Sequence, residues 1–143
     1  LTVNNANVTV NGGSLVNTST AENTSAVTMS GGELTVNGST VTGGYDGIVS
    51  DPAKNSTLNL NDANVTGSGN NGIGGGKFGS SSNGSFTQNI KGKSTVTGKK
   101  NGIDVRKWTG DQKAKISANS VGDNSPKISG DVGINGGMVL FVR

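Results

Sequence analysis

Eight of the twelve basic residues lie between Lys91 and Lys115, opposed there only by Asp104 and Asp111, for a local net charge of +6; the remainder of the chain carries −3. Such asymmetry creates a field that concentrates anionic partners and fades with salt. The single Trp falls in the same window, in Arg106-Lys-Trp-Thr-Gly110. An aromatic ring among cations on a loop suits stacking on a sugar ring or holding a sulfated or phosphorylated glycan. Lys99, Lys100, Arg106, Lys107 and Trp108 are therefore the candidate ligand-binding residues. The same residues also have an ordinary reading, as lysines that blunt strand edges and an indole that covers a loop. Nucleic acid fits less well, because one aromatic accompanies the cations and no reading motif is present.

Catalysis has little to work with. The chain has neither Cys nor His, which removes thiolate metal sites, disulfides and the commonest general base. The nine acids, Glu22, Glu33, Asp46, Asp51, Asp62, Asp104, Asp111, Asp123 and Asp131, include no two within four residues of each other. Asp46, Asp104 and Asp131 fall near one type of predicted strand, so stacking can bring some together, although acids near turns commonly cap backbone amides. Gly43-Gly-Tyr-Asp46 resembles one unit of a calcium-binding nonapeptide array, but Gly74-Gly-Gly-Lys-Phe-Gly79 lacks the Asp that a tandem copy needs. No catalytic residue, metal or cofactor is assigned.

These residues need a scaffold that 29% hydrophobic and 3% aromatic content can build. Disorder is disfavoured, because only 15% of residues are charged and Pro occurs twice. Gly, Asn, Thr and Ser take the place of charge, and they favour strands and turns over helices. Self-comparison aligns Leu1-Thr-Val-Asn, Leu34-Thr-Val-Asn and Leu58-Asn-Leu-Asn, with weaker matches at Phe86-Thr-Gln-Asn and Ile116-Ser-Ala-Asn. A second element follows each: Asn7-Val-Thr, Thr40-Val-Thr-Gly, Asn64-Val-Thr-Gly, Thr95-Val-Thr-Gly and Lys127-Ile-Ser-Gly. A third reads Ala26-Val27, Gly47-Ile48, Gly72-Ile73, Gly102-Ile103 and Gly133-Ile134.

Irregular repeats without helical patterning indicate a β-solenoid with loops of unequal length. The expected fold is all-β: a three-faced, right-handed parallel β-helix over residues 1–143, with about five coils starting near Leu1, Leu34, Leu58, Phe86 and Ile116. Its interior columns would be Leu1, Leu34, Leu58, Phe86 and Ile116; Val3, Val36 and Leu60; Val8, Val41, Val65, Val96 and Ile128; and Val27, Ile48, Ile73, Ile103 and Ile134. Gln88 and Ala118 fall where the second column expects an aliphatic residue. Leu15 competes with Val27 for the third-element column, where Val27 is preferred because Ser30-Gly-Gly-Glu33 then leads directly into Leu34; the alternative is a short strand around Leu15 within the loop Asn11 to Ser25. A leucine-rich horseshoe is disfavoured, since neither its longer consensus nor a helical return is present. Loops are expected at Asn11 to Ser25, Gly74 to Ser85, Arg106 to Lys115 and Asn119 to Pro126.

The segments Ala26-Val-Thr-Met-Ser-Gly-Gly-Glu-Leu-Thr-Val-Asn-Gly-Ser-Thr-Val-Thr-Gly43 and Asn101-Gly-Ile-Asp-Val105 resemble the passenger domains of bacterial autotransporter adhesins. Pectin-lyase-like β-helices, phage tailspikes and filamentous adhesins share much of the same grammar. The resemblance implies export across an outer membrane and display at the cell surface, with host or bacterial surface glycans or proteins as partners. Polysaccharide processing is the enzymatic alternative, and an inert stalk the structural one. No run is long enough to span a bilayer. Both ends read as cut from a longer solenoid, and the open coil ends predict self-association. Seven Asn-x-Ser/Thr triplets begin at Asn7, Asn17, Asn23, Asn37, Asn55, Asn64 and Asn83. The Thr-x-Thr triplets at Thr40 and Thr95 resemble ice-ordering faces, but Asn7, Asn64 and Lys127 in equivalent positions would make that column mixed.

Overall fold

Alternation of one inward aliphatic with outward polar residues is the pattern that parallel strands need when only one side is dry. The computed structural model describes residues 1–78, 84–108, 114–118, 126–133 and 139–142, with the backbone alone for 130–133 and 139–142. Among the described residues thirteen strands, all paired in parallel, join one hydrogen-bonded sheet. They are β1 (Thr2–Asn11), β2 (Ser14–Asn17), β3 (Ser25–Asn37), β4 (Thr40–Gly43), β5 (Asp46–Ser50), β6 (Ser56–Asn61) and β7 (Asn64–Gly67). β8 (Asn71–Gly74), β9 (Phe86–Lys91), β10 (Thr95–Asp104), β11 (Lys115–Ala118), β12 (Lys127–Gly133) and β13 (Val139–Val142) follow. Among the described residues there is no helix.

The strands wind into a three-faced solenoid of about four turns, counted from Val8 to Ile116 and continued by β12 and β13. A leucine face stacks the second halves of β1 and β3 with β6, β9, β11 and β13. A threonine face stacks β2, β4, β7 and the first halves of β10 and β12. An isoleucine face stacks the first half of β3 with β5, β8 and the second halves of β10 and β12.

Most of the expected columns exist, with corrections to register. The leucine column runs Val8, Leu34, Leu58, Gln88, Ile116 and Leu140, so Leu1 and Phe86 are not members. The second column runs Val10, Val36, Leu60, Ile90 and Ala118; Val3 instead pairs with Met29. Phe86 lies two residues earlier than expected, opposite Ser56. On the threonine face the column is Leu15, Val41, Val65, Val96 and Ile128, with Leu15 in the place assigned to Val8. The isoleucine column holds Val27, Ile48, Ile73 and Ile103 as expected, but Val132 faces Ile103 in place of Ile134. Ile134 itself lies outside the described residues.

The corner between the leucine and threonine faces shows why the turns recur. Gly12, Gly38, Asp62 and Gly92 occupy successive coils there, all in the left-handed region (φ 69°, 56°, 52° and 62°). A Cβ at Gly92 would come within 2.2 Å of Asp62 Oδ1, which accepts from Lys93 N at 2.8 Å, so a side chain there would push that carboxylate off its bond while also straining the left-handed backbone. Outward asparagines lock the coils together: Asn37 Nδ2 donates to Asn11 Oδ1 at 2.8 Å, Asn61 Nδ2 to Asn37 Oδ1 at 2.7 Å, and Asn89 Nδ2 to Asn59 Oδ1 at 2.8 Å.

Candidate functional site

The basic window begins at the end of β9, crosses the threonine face in β10 and leaves the isoleucine face at Asp104. Its first half is open to solvent: Lys91, Lys93, Lys99 and Lys100 are all exposed. Its second half is committed to structure. Asp104 accepts three hydrogen bonds from Arg106, from the backbone N at 3.1 Å, Nε at 2.9 Å and Nη2 at 2.8 Å. Burial alone would raise the Asp104 pKa, but the hydrogen bonds and charge of Arg106 outweigh it and hold the carboxyl below its ordinary value. Arg106 keeps half of its side chain in solvent.

Lys107 works as a clamp. Its stem passes over Gly75, where a Cβ would lie 2.5 Å from Lys107 Cδ, and its Nζ donates to the carbonyls of Gly76 and Phe78. This ties the segment that leaves β8 onto the outside of the isoleucine face. Gly76 there stands over Val49 and Asp46: a Cβ on it would come 2.4 Å from Val49 Cγ1 and 3.5 Å from Asp46 Oδ2. Val49 is accordingly buried while standing outside the interior cluster.

Asp46 is fully buried under that segment. Its Oδ1 accepts from Asn71 N at 3.0 Å and Asn70 Nδ2 at 2.9 Å, whereas Oδ2 has no hydrogen-bond partner. Loss of hydration raises the pKa, an effect that the two hydrogen bonds and the charge of Lys107 reduce and that Asp104 reinforces. Asp46, Asn71, Asn101 and Asp131 follow one another up the same face, so stacking brings Asp46 near Asp104 electrostatically and separates it from Asp131 by two asparagines. Among the described residues no group of three acids gathers in metal-holding geometry.

Trp108 requires a correction. It is 3% exposed, belongs to the interior cluster and stacks on Phe86 with ring centroids 5.1 Å apart and an interplanar angle of 28°. A ring so enclosed offers no platform to a sugar. The chain turns inward after Arg106, with Trp108 N donating to Val105 O at 3.1 Å, because a large apolar ring gains more from burial than from covering a loop. The five candidates thus divide: Lys99 and Lys100 are open, Arg106 is paired, Lys107 clamps, and Trp108 packs in the core.

The expected loops are shorter where they can be followed. The first contains β2, and the others run partly through residues 79–83, 109–113 and 119–125, outside the described residues. Of the Asn-x-Ser/Thr asparagines, Asn17 is committed to Ser25 O and Ser19 N, Asn37 to its ladder, Asn55 to Ser85 and Asn64 to Thr95. Asn7 and Asn23 are exposed, and Asn83 lies outside the described residues. Two exposed lysines outside the five candidates adjoin the threonine face: Lys127, which pairs with Thr95 and is legible from the shared Thr/Asn-Val-Thr-Gly element, and Lys93, in the turn before β10. Comparison with protein-family models, curated proteins and solved structures finds no match.

Proposed function

We propose that this chain is a segment of an extracellular, surface-displayed β-solenoid of the autotransporter-passenger kind, acting as an adhesive rod that engages anionic glycans on host or neighbouring cells. One observation carries the reading: Lys91, Lys93, Lys99 and Lys100 flank the threonine-face strand of a single coil, are exposed, and form no ion pair with a described residue. Unpaired surface cations clustered on a rigid lattice attract a polyanion without any rearrangement of the protein. Loops and the indole, assigned that role from the sequence, give way to the lattice itself.

The test is retention on immobilised heparin together with an array of sulfated and carboxylated glycans. The chain should bind at low salt and elute as salt rises, and a variant with all four lysines changed to Gln should elute markedly earlier. An absence of binding to every anionic glycan would sink the proposal. A second reading, as a spacer that projects other segments, draws support from the asparagine ladders and the hydrophobic cluster that runs from coil to coil among the described residues, both of which stiffen the stack. Scattering dimensions that grow in proportion to added coils would favour it when glycan binding fails.

A further inference from the structure

On the threonine face the register puts Thr42, Thr66, Thr97 and Ser129 in one outward column. A parallel column holds Thr40, Asn64, Thr95 and Lys127. The correct first-coil neighbour of Thr40 is Ser14, not Asn7. Asn64, Thr97, Lys127 and Ser129 are exposed, and Thr40, Thr42, Thr66 and Thr95 half-exposed, so no described segment closes over this surface.

Its hydrogen-bonding state differs from that of the leucine face. There the amides bond one another from coil to coil, whereas here, among the described residues, Thr95 Oγ1 donates to Asn64 Oδ1 at 2.7 Å and the hydroxyls of Thr42, Thr66 and Thr97 have no side-chain partner. Each hydroxyl offers one donor and two acceptor positions. The grid repeats at about 4.8 Å between coils and about 6.6 Å along a strand. Cations frame it. Lys93 and Lys99 stand at alternate positions on either side of Thr95 and Thr97 in β10 and the turn before it, and Lys127 adjoins Thr95 from the next coil. Neither column contains an acid.

We infer that the threonine face is the glycan-binding surface, and that its ligand is a strand of sulfated or carboxylated polysaccharide lying across the hydroxyl grid with its anionic groups on Lys93, Lys99 and Lys127. This rests on the adhesive reading above and assigns it a place. A polyhydroxylated chain matches groups that both donate and accept, and the lysines match its charge. Single-stranded nucleic acid matches the charge alone, because neither column supplies an aromatic platform.

Heparin binding to the whole chain, measured by calorimetry at low salt, tests this with three variants. Lys93→Gln/Lys99→Gln/Lys127→Gln and Thr42→Val/Thr66→Val/Thr97→Val should each weaken binding tenfold or more. Val keeps the β-branched shape of Thr, and circular dichroism checks that the strands persist. The control Lys54→Gln/Lys77→Gln/Lys115→Gln removes equal charge from exposed lysines elsewhere and should weaken binding less than threefold. Equal losses in the control and the lysine variant, or no loss in the threonine variant, would overturn the assignment while leaving glycan binding intact. Tighter binding of oligothymidine than of heparin would overturn it in favour of nucleic acid. A wild-type chain that binds no anionic glycan would remove the preceding reading and this one together.

Discussion

The isoleucine and threonine faces are made from the same backbone lattice, yet one is roofed and the other bare. On the isoleucine face, residues 75–78 fold back over Val49 and Asp46 and are held by Lys107 from the following coil. On the threonine face, turns such as that at Gly98 to Asn101 are tight: a Cβ on Gly98 would lie 1.7 Å from Asn101 O, which leaves no spare chain to fold outward. Availability is thus decided at the corners, while the strands supply only the regular spacing. Long connections bring their own residues to one face and hide it.

Four experiments press on this contrast. The largest effect is expected from Trp108→Ala, which should cost about 3–5 kcal/mol in urea unfolding because it empties the interior beside Phe86; a loss below about 1 kcal/mol would place the ring outside. Lys107→Met keeps the stem but removes the charged donor, and should cost about 2 kcal/mol. Hydrogen exchange should then accelerate in residues 75–78 and leave β7 unchanged, and uniform acceleration would mean that the clamp is not local.

Asp46→Asn probes the roofed face by pH. The folded-state pKa of Asp46 lies above its ordinary 3.8, so the native chain holds that proton more firmly than the unfolded one. Its contribution is most favourable below that ordinary value and declines as pH rises through the interval up to the folded value. Asp104, with a lowered pKa, works in the opposite sense: its stabilisation is present at neutral pH and lost as pH falls through its folded value. The Asn variant should therefore melt higher than wild type at pH 7, with the gap closing near pH 3. A gap equal at both would show that Asp46 carries no burial penalty. The smallest effect belongs to Thr66→Val, which should change stability by no more than about 0.5 kcal/mol; a larger loss by thermal melting would mean that the bare face contributes to folding.

The solenoid was legible from aliphatic positions alone, since Leu34 over Leu58, Val41 over Val65 and Ile48 over Ile73 recur with flanking residues that match. Register failed where two stretches carry the same grammar. Thr2-Val-Asn4 and Val8-Thr-Val-Asn11 lie in one strand that rounds a corner at Asn5, where a left-handed φ of 47° resets the alternation, and only the second stretch pairs with Leu34. It failed again at Gln88, which occupies the leucine column fully buried with both amide atoms unpartnered. Such a group costs about 1–3 kcal/mol, so the apolar Phe86 is the better member on hydropathy. The candidate site was legible in its charge and not in its exposure. Whether a Trp beside cations points out or in depends on the coil stacked above it, which spacing along the chain does not reveal.

The asparagine ladders and the unequal coils also determine how the rod would yield to pulling. Adjacent coils are separated by 26 residues from Val8 to Leu34, 24 from Leu34 to Leu58 and 30 from Leu58 to Gln88. Tension applied at one end loads the bonds of the outermost coil before those beneath it. Each coil that peels away releases roughly 80–110 Å of slack at about 3.3–3.6 Å per residue. Pulled from one end, such a stack would give way in discrete steps, each absorbing strain while the inner coils stay wound.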